Sequence, residues 1–485
     1  MRKLALTLSL LLAGCAVGPD YRRPETPGSR KPGDAGAQAF VDPGVTQVSM
    51  GPAEGQWWRL FRDPVLDRLV LDALAHNTDV RQASANLRRA RGLLLEARSG
   101  RLPTTDLTAQ YTRRRIGAQQ LGAQGVQQTN GVDGFEFDFF TVGMDAAYEV
   151  DLFGRVSRSI EAAKGDAQAA QAALDGARVA VAAETARTYA QACGYAAQAD
   201  VARETARLQD QTRELTRKLL DAGRGTRRDF DQAVVLAETA RAQVPLLEAE
   251  RRASLYALAT LTGREPSDID ADAGQCRTAP GVTTLIPVGD GAALLARRAD
   301  VREAERKLAA DTARIGIATA ALFPSIKLLG SASLGAQSVS DLGKSSAFNF
   351  SVGPLISWSF PNIAVARSQI KQARAGADAS LAAFDGAVLT ALKEVEQALA
   401  RYAGTIEANA GQRRATEAAE SAANIAGLRF TEGRDSFLQR LDAERDRASA
   451  RAALAESNTS LAEAQVALFK ALGGGWEGAP EPQRR

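Results

Sequence analysis

Asp79-Val80-Arg81 returns as Asp300-Val301-Arg302, and Leu102-Pro103 as Phe323-Pro324, each 221 positions downstream. Further along, Ala222-Gly223-Arg224 returns as Glu432-Gly433-Arg434 at an offset of 210. A chain written twice folds as two related halves, and copies of about 200 residues are too long for a solenoid unit. The offset falls between the strands of each half, where the second copy has the shorter loop. The repeats span residues 64–270 and 291–474, joined by a linker over 271–290.

Each half reads helix, strand, loop, strand, very long helix, tight turn, long helix. Thr104 to Arg113 and Val142 to Leu152 are the first pair of strands. The second alternates strictly, with Val142, Met144, Ala146, Tyr148, Val150 and Leu152 on one face and Thr141, Gly143, Asp145, Glu149 and Asp151 on the other. That period of two marks a sheet with one apolar and one wet face. In the second half Phe348, Phe350, Val352, Pro354, Ile356 and Trp358 share a face opposite Asn349, Ser351 and Ser357. Pro354 removes a ladder donor and is expected to bulge or break the strand. Strands of about ten residues fit a tilted bilayer crossing.

No proline lies between Pro103 and Pro245 or between Pro361 and Pro480, so helices can run from about Val156 to Asp221 and from about Val365 to Thr431. At 1.5 Å per residue each is roughly 100 Å long. Leu381, Phe384, Val388, Leu392, Val395, Leu399, Tyr402 and Ile406 step by three and four, the seam of a coiled coil. The matching helix of the first half is alanine-rich, which permits close backbone approach. Both long helices stop at a glycine turn, Gly223 and Gly433, and Thr226 or Ser436 can cap the returning helix.

Before the repeats, Arg2 and Lys3 precede an apolar run from Leu4 to Leu12 and then Leu12-Ala13-Gly14-Cys15. The run is too short to span a bilayer as a mature helix. It resembles a bacterial lipoprotein signal over residues 1–14, whose removal leaves Cys15 acylated at the head of an extended segment, 15–63. Ala16 in place of Asp implies outer-membrane sorting by that resemblance. Of the other two cysteines, Cys193 falls in the helical stripe Ala186, Ala190, Cys193, Ala197 and reads as a small buried residue. A disulfide with Cys276 is possible in an oxidising compartment, although no local pattern supports it.

The 60 Lys+Arg against 57 Asp+Glu leave a charge of +3, no field for nucleic acid. The single histidine, His76, reads as a surface or packing residue. No nucleophile elbow, zinc signature, phosphate loop or paired-cysteine motif stands in the sequence, so neither catalytic residues nor a metal or cofactor is expected. Four amphipathic strands cannot close a barrel, because unpaired edges in lipid cost several kcal/mol per group and known barrels need eight or more strands. Several chains must share one barrel. Two copies give eight strands and an interior filled with side chains; three give twelve strands with an open lumen, and twelve long helices to continue it.

The order of Cys15-Ala16-Val17-Gly18-Pro19-Asp20-Tyr21, Trp57-Trp58, Phe61-Arg62-Asp63-Pro64, Asn77-Thr78-Asp79-Val80, Tyr148 to Arg155, Arg298 to Arg302, Phe323-Pro324 and Leu472-Gly473-Gly474-Gly475-Trp476 covers nearly the whole chain. In that order it resembles the TolC-type outer-membrane efflux family, lipoprotein (NodT-type) branch. The resemblance implies a mainly α fold with a membrane β-barrel contribution: four strands and four long helices per chain, a homotrimer with a twelve-stranded barrel, and a twelve-helix periplasmic tunnel. It implies a periplasmic adaptor at the hairpin tips (Gly223, Thr226, Gly433, Ser436) and an inner-membrane pump of the resistance-nodulation-division type. It also places a periplasmic aperture at Leu438, Gln439, Asp442 and Asp229, with Gln439 standing where some relatives carry a second aspartate. Tyr148, Phe348, Phe350 and Trp358 become the lipid-facing strand surface, and Val41 to Leu60 with Gly263 to Gly289 an equatorial belt. Residues 475–485 are expected as a flexible tail. Other readings of the same sequence are a duct for type I protein secretion or metal efflux, and a lipid-anchored periplasmic scaffold without a pore, which has no use for bilayer-length strands.

Overall fold

A computed structural model describes residues 16–25, 47–49, 51, 54–117, 134–289, 291–360 and 363–482. In chain order the elements are β1 (Val48–Ser49), α1 (Pro64–His76), α2 (Thr78–Ser99), β2 (Thr104–Gly117), β3 (Gly134–Val150), α3 (Arg155–Asp221), α4 (Arg227–Leu261), α5 (Ala271–Gln275), β4 (Ile286–Pro287), α6 (Gly291–Arg297), α7 (Ala299–Ala320), β5 (Ser325–Ala336), β6 (Phe348–Ser357), α8 (Ile363–Thr431) and α9 (Phe437–Ala471). The duplication is visible element by element. α4 and α9 are 35 residues each, α2 and α7 are 22 each, and α3 and α8 are 67 and 69. Shortened counterparts are found for α1, whose 13 residues become the seven of α6, and for β2 and β3, whose 14 and 17 residues become the 12 and 10 of β5 and β6.

The chain divides into two compact units that cut across the repeats: residues up to 23, 89–168 and 306–382 in one, 24–88, 169–305 and 383–485 in the other. The first holds an antiparallel sheet of order β2-β3-β5-β6. β2 and β3 run further outward than alternation alone indicates, pairing up to Gly117↔Gly134. The extra rungs reverse the alternation: Phe137 and Phe139 lie on the face opposite Phe140 and Val142, and Arg113 and Glu136, paired at 3.1 Å, lie on the other, so an apolar period read from Val142 does not carry into them. At its other end β3 stops at Val150, because Asp151 turns to cap α3 and accepts from the backbone N–H of Val156 and Ser157, 2.8 Å each.

The bulge expected at Pro354 does not form. Its pairing with Leu328 lies in an unbroken register, and β6 is an edge strand, where a missing donor is tolerated. Trp358 lies just past that strand. Its Nε1 donates to the Leu322 carbonyl (3.2 Å) and its ring stacks on Phe360.

In the second unit Trp57, Trp58 and Phe61 of a 3₁₀ turn pack with Leu66, Leu69 and Leu74 of α1, Tyr189 of α3, Val395 and Leu399 of α8, Phe469 of α9 and Ile286 of the linker. Trp57 lies flat on Phe469 at 5.0 Å, and β1 pairs in parallel with β4. The coiled-coil seam is buried at Phe384, Val388, Val395, Leu399 and Tyr402, whereas Leu381 is exposed.

Cys193 and Cys276 are joined in a disulfide across 83 positions, tying α3 to the end of α5. The helical stripe locates the burial of Cys193 but carries no information about a partner in the linker. The start of the expected flexible tail is instead packed. The Arg302 guanidinium sits 4.7 Å over the Trp476 ring, and Arg297 pairs with Glu477 at 2.8 Å. A Cβ on Gly474 would lie 2.7 Å from Arg297 Nη2 and 2.9 Å from the Glu54 carbonyl, which is why glycine stands two places before that tryptophan.

Candidate functional site

Cross-strand partners share a face of a sheet. The rows Tyr111/Phe140/Ala336, Ala109/Val142/Leu334/Phe348, Leu107/Met144/Ala332/Phe350, Thr105/Ala146/Gly330/Val352, Tyr148/Leu328/Pro354 and Val150/Ile326/Ile356 stack into one almost wholly apolar surface. The reverse face carries Asp106/Asp145/Ser331/Ser351 and Thr108/Gly143/Ser333/Asn349. The chain does not cover its own apolar face: Leu107 is 80% exposed, Phe350 73% and Val352 81%. A patch of this kind faces lipid or a partner.

Phe140 to Val150 at about 3.4 Å per residue, tilted by about 40°, rises roughly 26 Å, the height of an outer-membrane apolar band. Beyond Tyr111 the next rows, Arg113/Asp138 and Arg115/Glu136, are charged and end the band. At the opposite end Phe153 stacks on Phe323 (4.6 Å) and Trp358 on Phe360 (4.9 Å), aromatic pairs of the kind that sit at a membrane interface. Tyr148, Phe348 and Phe350 therefore share the face their alternation assigns them, and Trp358 belongs to the aromatic end. Among the described residues, β2 and β6 each keep one edge without a partner strand in the sheet.

The two hairpin tips repeat one design. Gly223 and Gly433 sit at φ +68° and +71°, where a side chain would be strained. Thr226 and Ser436 each cap the returning helix in a reciprocal box, with Asp229 and Gln439 as the respective third residues. Asp229 Oδ2 accepts from the Thr226 N–H at 3.3 Å, and Gln439 Oε1 from the Ser436 N–H at 2.7 Å. The four aperture candidates thus fall into two pairs. Leu438 and Asp442 line a groove of about 720 Å³ with Arg228, Asp231 and Val235 of α4 and Arg445 of α9. Asp229 and Gln439 are occupied in capping instead.

A third pair of related contacts fastens each α2-type helix to the end of the returning helix. In the first repeat Asn77 donates through Nδ2 to the Leu261 carbonyl (3.0 Å), and its Oδ1 accepts from the Asp79 and Val80 N–H groups. In the second, Arg298 donates through Nη1 to the Ala471 carbonyl (2.9 Å) and pairs with Asp300 (2.7 Å) and Glu394 (2.6 Å). Burial works against the charge on Asp300, but the bonds and charge of Arg298 outweigh it and hold that carboxyl below the usual aspartate range.

Among the described residues no three His, Cys, Asp or Glu side chains converge as metal ligands. Cys15, the expected lipid attachment point, and the signal segment before it lie outside the described residues. Sequence reasoning left the disulfide open, and it missed the task of Arg158 at the start of α3 and the capping roles of Asp229 and Gln439. For the caps the Thr-x-x-Asp and Ser-x-x-Gln spacings were the available signal.

A family model described as outer membrane efflux protein matches residues 69–264 and 292–474. The chain is 30% identical to the toluene efflux pump outer membrane protein TtgF of Pseudomonas putida, over 98% of its own length and 97% of that protein. It is 29% identical to nodulation protein T of Rhizobium leguminosarum bv. viciae, over 98% and 94%. Its structure is similar to that of the outer-membrane channel OprN, with a TM-score of 0.86, 36% identity, and coverage of 95% of this chain and 100% of that one.

Proposed function

The chain belongs to the outer membrane efflux protein family, and from that premise we propose that it is the outer-membrane channel subunit of a tripartite efflux system. Three copies join their β2 and β6 edges into a twelve-stranded barrel, and their long helices continue it as a periplasmic duct. Solutes pass through passively. A periplasmic adaptor and an inner-membrane pump of the resistance-nodulation-division type deliver them, and no catalytic group is required.

The observation that carries this reading is the four-stranded sheet with one exposed apolar face of bilayer height, a polar reverse face and two open edges. Such a sheet is stable in lipid only when its edges are closed by further copies. The hairpin tips at Gly223, Thr226, Gly433 and Ser436 are the adaptor-contacting ends. Leu438 and Asp442 narrow the aperture, while Asp229 and Gln439 shape it through the caps. The lipid on Cys15 anchors the assembly to the membrane.

Reconstituted into planar bilayers, the purified protein is expected to be a trimer that forms small-conductance pores. A monodisperse monomer without pore activity refutes the channel. Replacing Leu438 and Asp442 with small neutral residues should raise conductance. Unchanged conductance removes these two from the aperture.

A further inference from the structure

Arg158 lies in the first turn of α3 and is 5% exposed. Its guanidinium faces the N-terminal segment. Nε donates to the Val17 carbonyl (3.4 Å), and Nη2 to the Gly18 carbonyl (3.4 Å) and the Asp20 carboxylate (2.7 Å), while Nη1 holds Glu161 (2.8 Å). The Val17 N–H donates in turn to the Phe153 carbonyl at 3.3 Å.

Three glycines admit the segment. A Cβ on Gly18, whose φ is +97°, would lie 2.5 Å from Gly316 Cα. One on Gly316 would lie 2.7 Å from Arg158 Cγ, and one on Gly154 would lie 2.7 Å from Ala16. Arg306 stands over the Tyr21 ring at 5.7 Å. A peptide that merely lay on the surface would need neither a buried arginine reading its carbonyls nor glycine on both sides of the contact.

We infer that Arg158, Gly154 and Gly316 form a dock that recognises Ala16-Val17-Gly18-Pro19-Asp20-Tyr21, and that this dock fixes where the acyl chains of the processed N terminus enter the bilayer. The acyl part rests on the lipoprotein reading of Cys15. The Cα of a residue joined to Ala16 lies about 3.8 Å from the Ala16 Cα. The chains therefore start close to Gly154, in the turn between β3 and α3 where Ala16 packs and the Val17 N–H meets the Phe153 carbonyl. A free tether of about ten residues would let them wander by roughly 17 Å. Docked, they become permanent boundary lipids of the barrel rim.

The test is hydrogen exchange of the full-length trimer in lipid, followed in the peptide covering residues 16–25. Loss of a charge-assisted bond should speed exchange at Val17 about tenfold or more in Arg158→Gln and in Asp20→Ala. The Asp20 side chain is 84% exposed, so its removal leaves the body intact, and trimer and conductance should be those of the wild type. Wild-type exchange in both variants overturns the dock. Cys15→Ser should keep the protection, since the peptide is what is recognised; losing it would mean that the lipid alone holds the segment, which also overturns the dock. The mass of the mature N terminus reports separately on the lipoprotein reading. A photoreactive fatty acid incorporated during growth should cross-link to residues 150–154 and 321–324 in the wild type and scatter in Asp20→Ala. The same pattern in both overturns the fixed entry point.

Discussion

The two repeats solve the same mechanical problem with different chemistry. Asn77 and Arg298 stand at equivalent positions, and each reaches the last carbonyl of its returning helix, Leu261 or Ala471. The glycines that follow, Gly263 and Gly473, adopt φ +74° and +70° and let the two segments touch. A Cβ there would lie 2.8 Å from the His76 carbonyl or 3.1 Å from Arg298 Cγ. The amide of Asn77 is satisfied by backbone alone. Arg298 brings a buried charge and draws in Asp300 and Glu394 to balance it. Duplication has thus kept the contact and let its electrostatics diverge. The same holds at Pro245, which interrupts the hydrogen bonding of α4 where α9 has Ala455.

The largest expected asymmetry lies in the first repeat, which alone carries a bridge from its long helix to the linker. Closing a loop of 83 positions is worth about 4 kcal/mol in the chain-entropy account, so Cys193→Ala or reduction should lower the thermal midpoint of the trimer sharply. A midpoint that ignores dithiothreitol would leave the bridge without energetic weight. Next comes the junction itself. Arg298→Ala strands two carboxylates and a buried carbonyl and should cost about 3 kcal/mol, and Asn77→Ala about 1 to 2 kcal/mol for a lost cap and one bond. Equal losses in a thermal melt would erase the contrast drawn between the repeats.

The junction difference should also depend on pH. Because the folded Asp300 carboxyl titrates below its unfolded value, its contribution is complete above the ordinary aspartate range near pH 4 and is lost as pH falls through the depressed folded value. The stability gap between wild type and Arg298→Ala should therefore narrow on acidification below about pH 4, while the gap to Asn77→Ala should not. The smallest effects belong to the tips. Thr226→Ala and Ser436→Ala should each loosen their first helical turn by about 1 kcal/mol in local hydrogen exchange. Gln439→Asp, which makes the second box like the first, should tighten it by about 0.5 kcal/mol through the helix dipole.

The fold was readable wherever information is local or periodic. Alternation placed Tyr148 and Phe350 on one face of the sheet, steps of three and four placed Phe384 and Leu399 in the seam, and the glycines at 223 and 433 marked the turns. What escaped depends on tertiary neighbours. Cys193 finds Cys276 only once the linker is folded into the core, and Trp476 is pinned only because Arg302 lies above it. Pro354 looked like a break because one strand read alone does not reveal that it lies at an edge. Among the aperture candidates, the spacing from Thr226 and Ser436 could mark Asp229 and Gln439 as caps, whereas the groove that Leu438 and Asp442 line takes the folded pair of helices to see.

The equal length of α4 and α9 has a consequence for how such a chain tolerates change. Each helix measures its own tip from its own, equivalent junction, so one inserted residue in either would advance that tip by about 1.5 Å and turn it by about 100° relative to its twin. A substitution such as Pro245 opposite Ala455 leaves that measure unchanged, whereas an insertion or deletion between junction and tip is expected to be tolerated only when both copies change together.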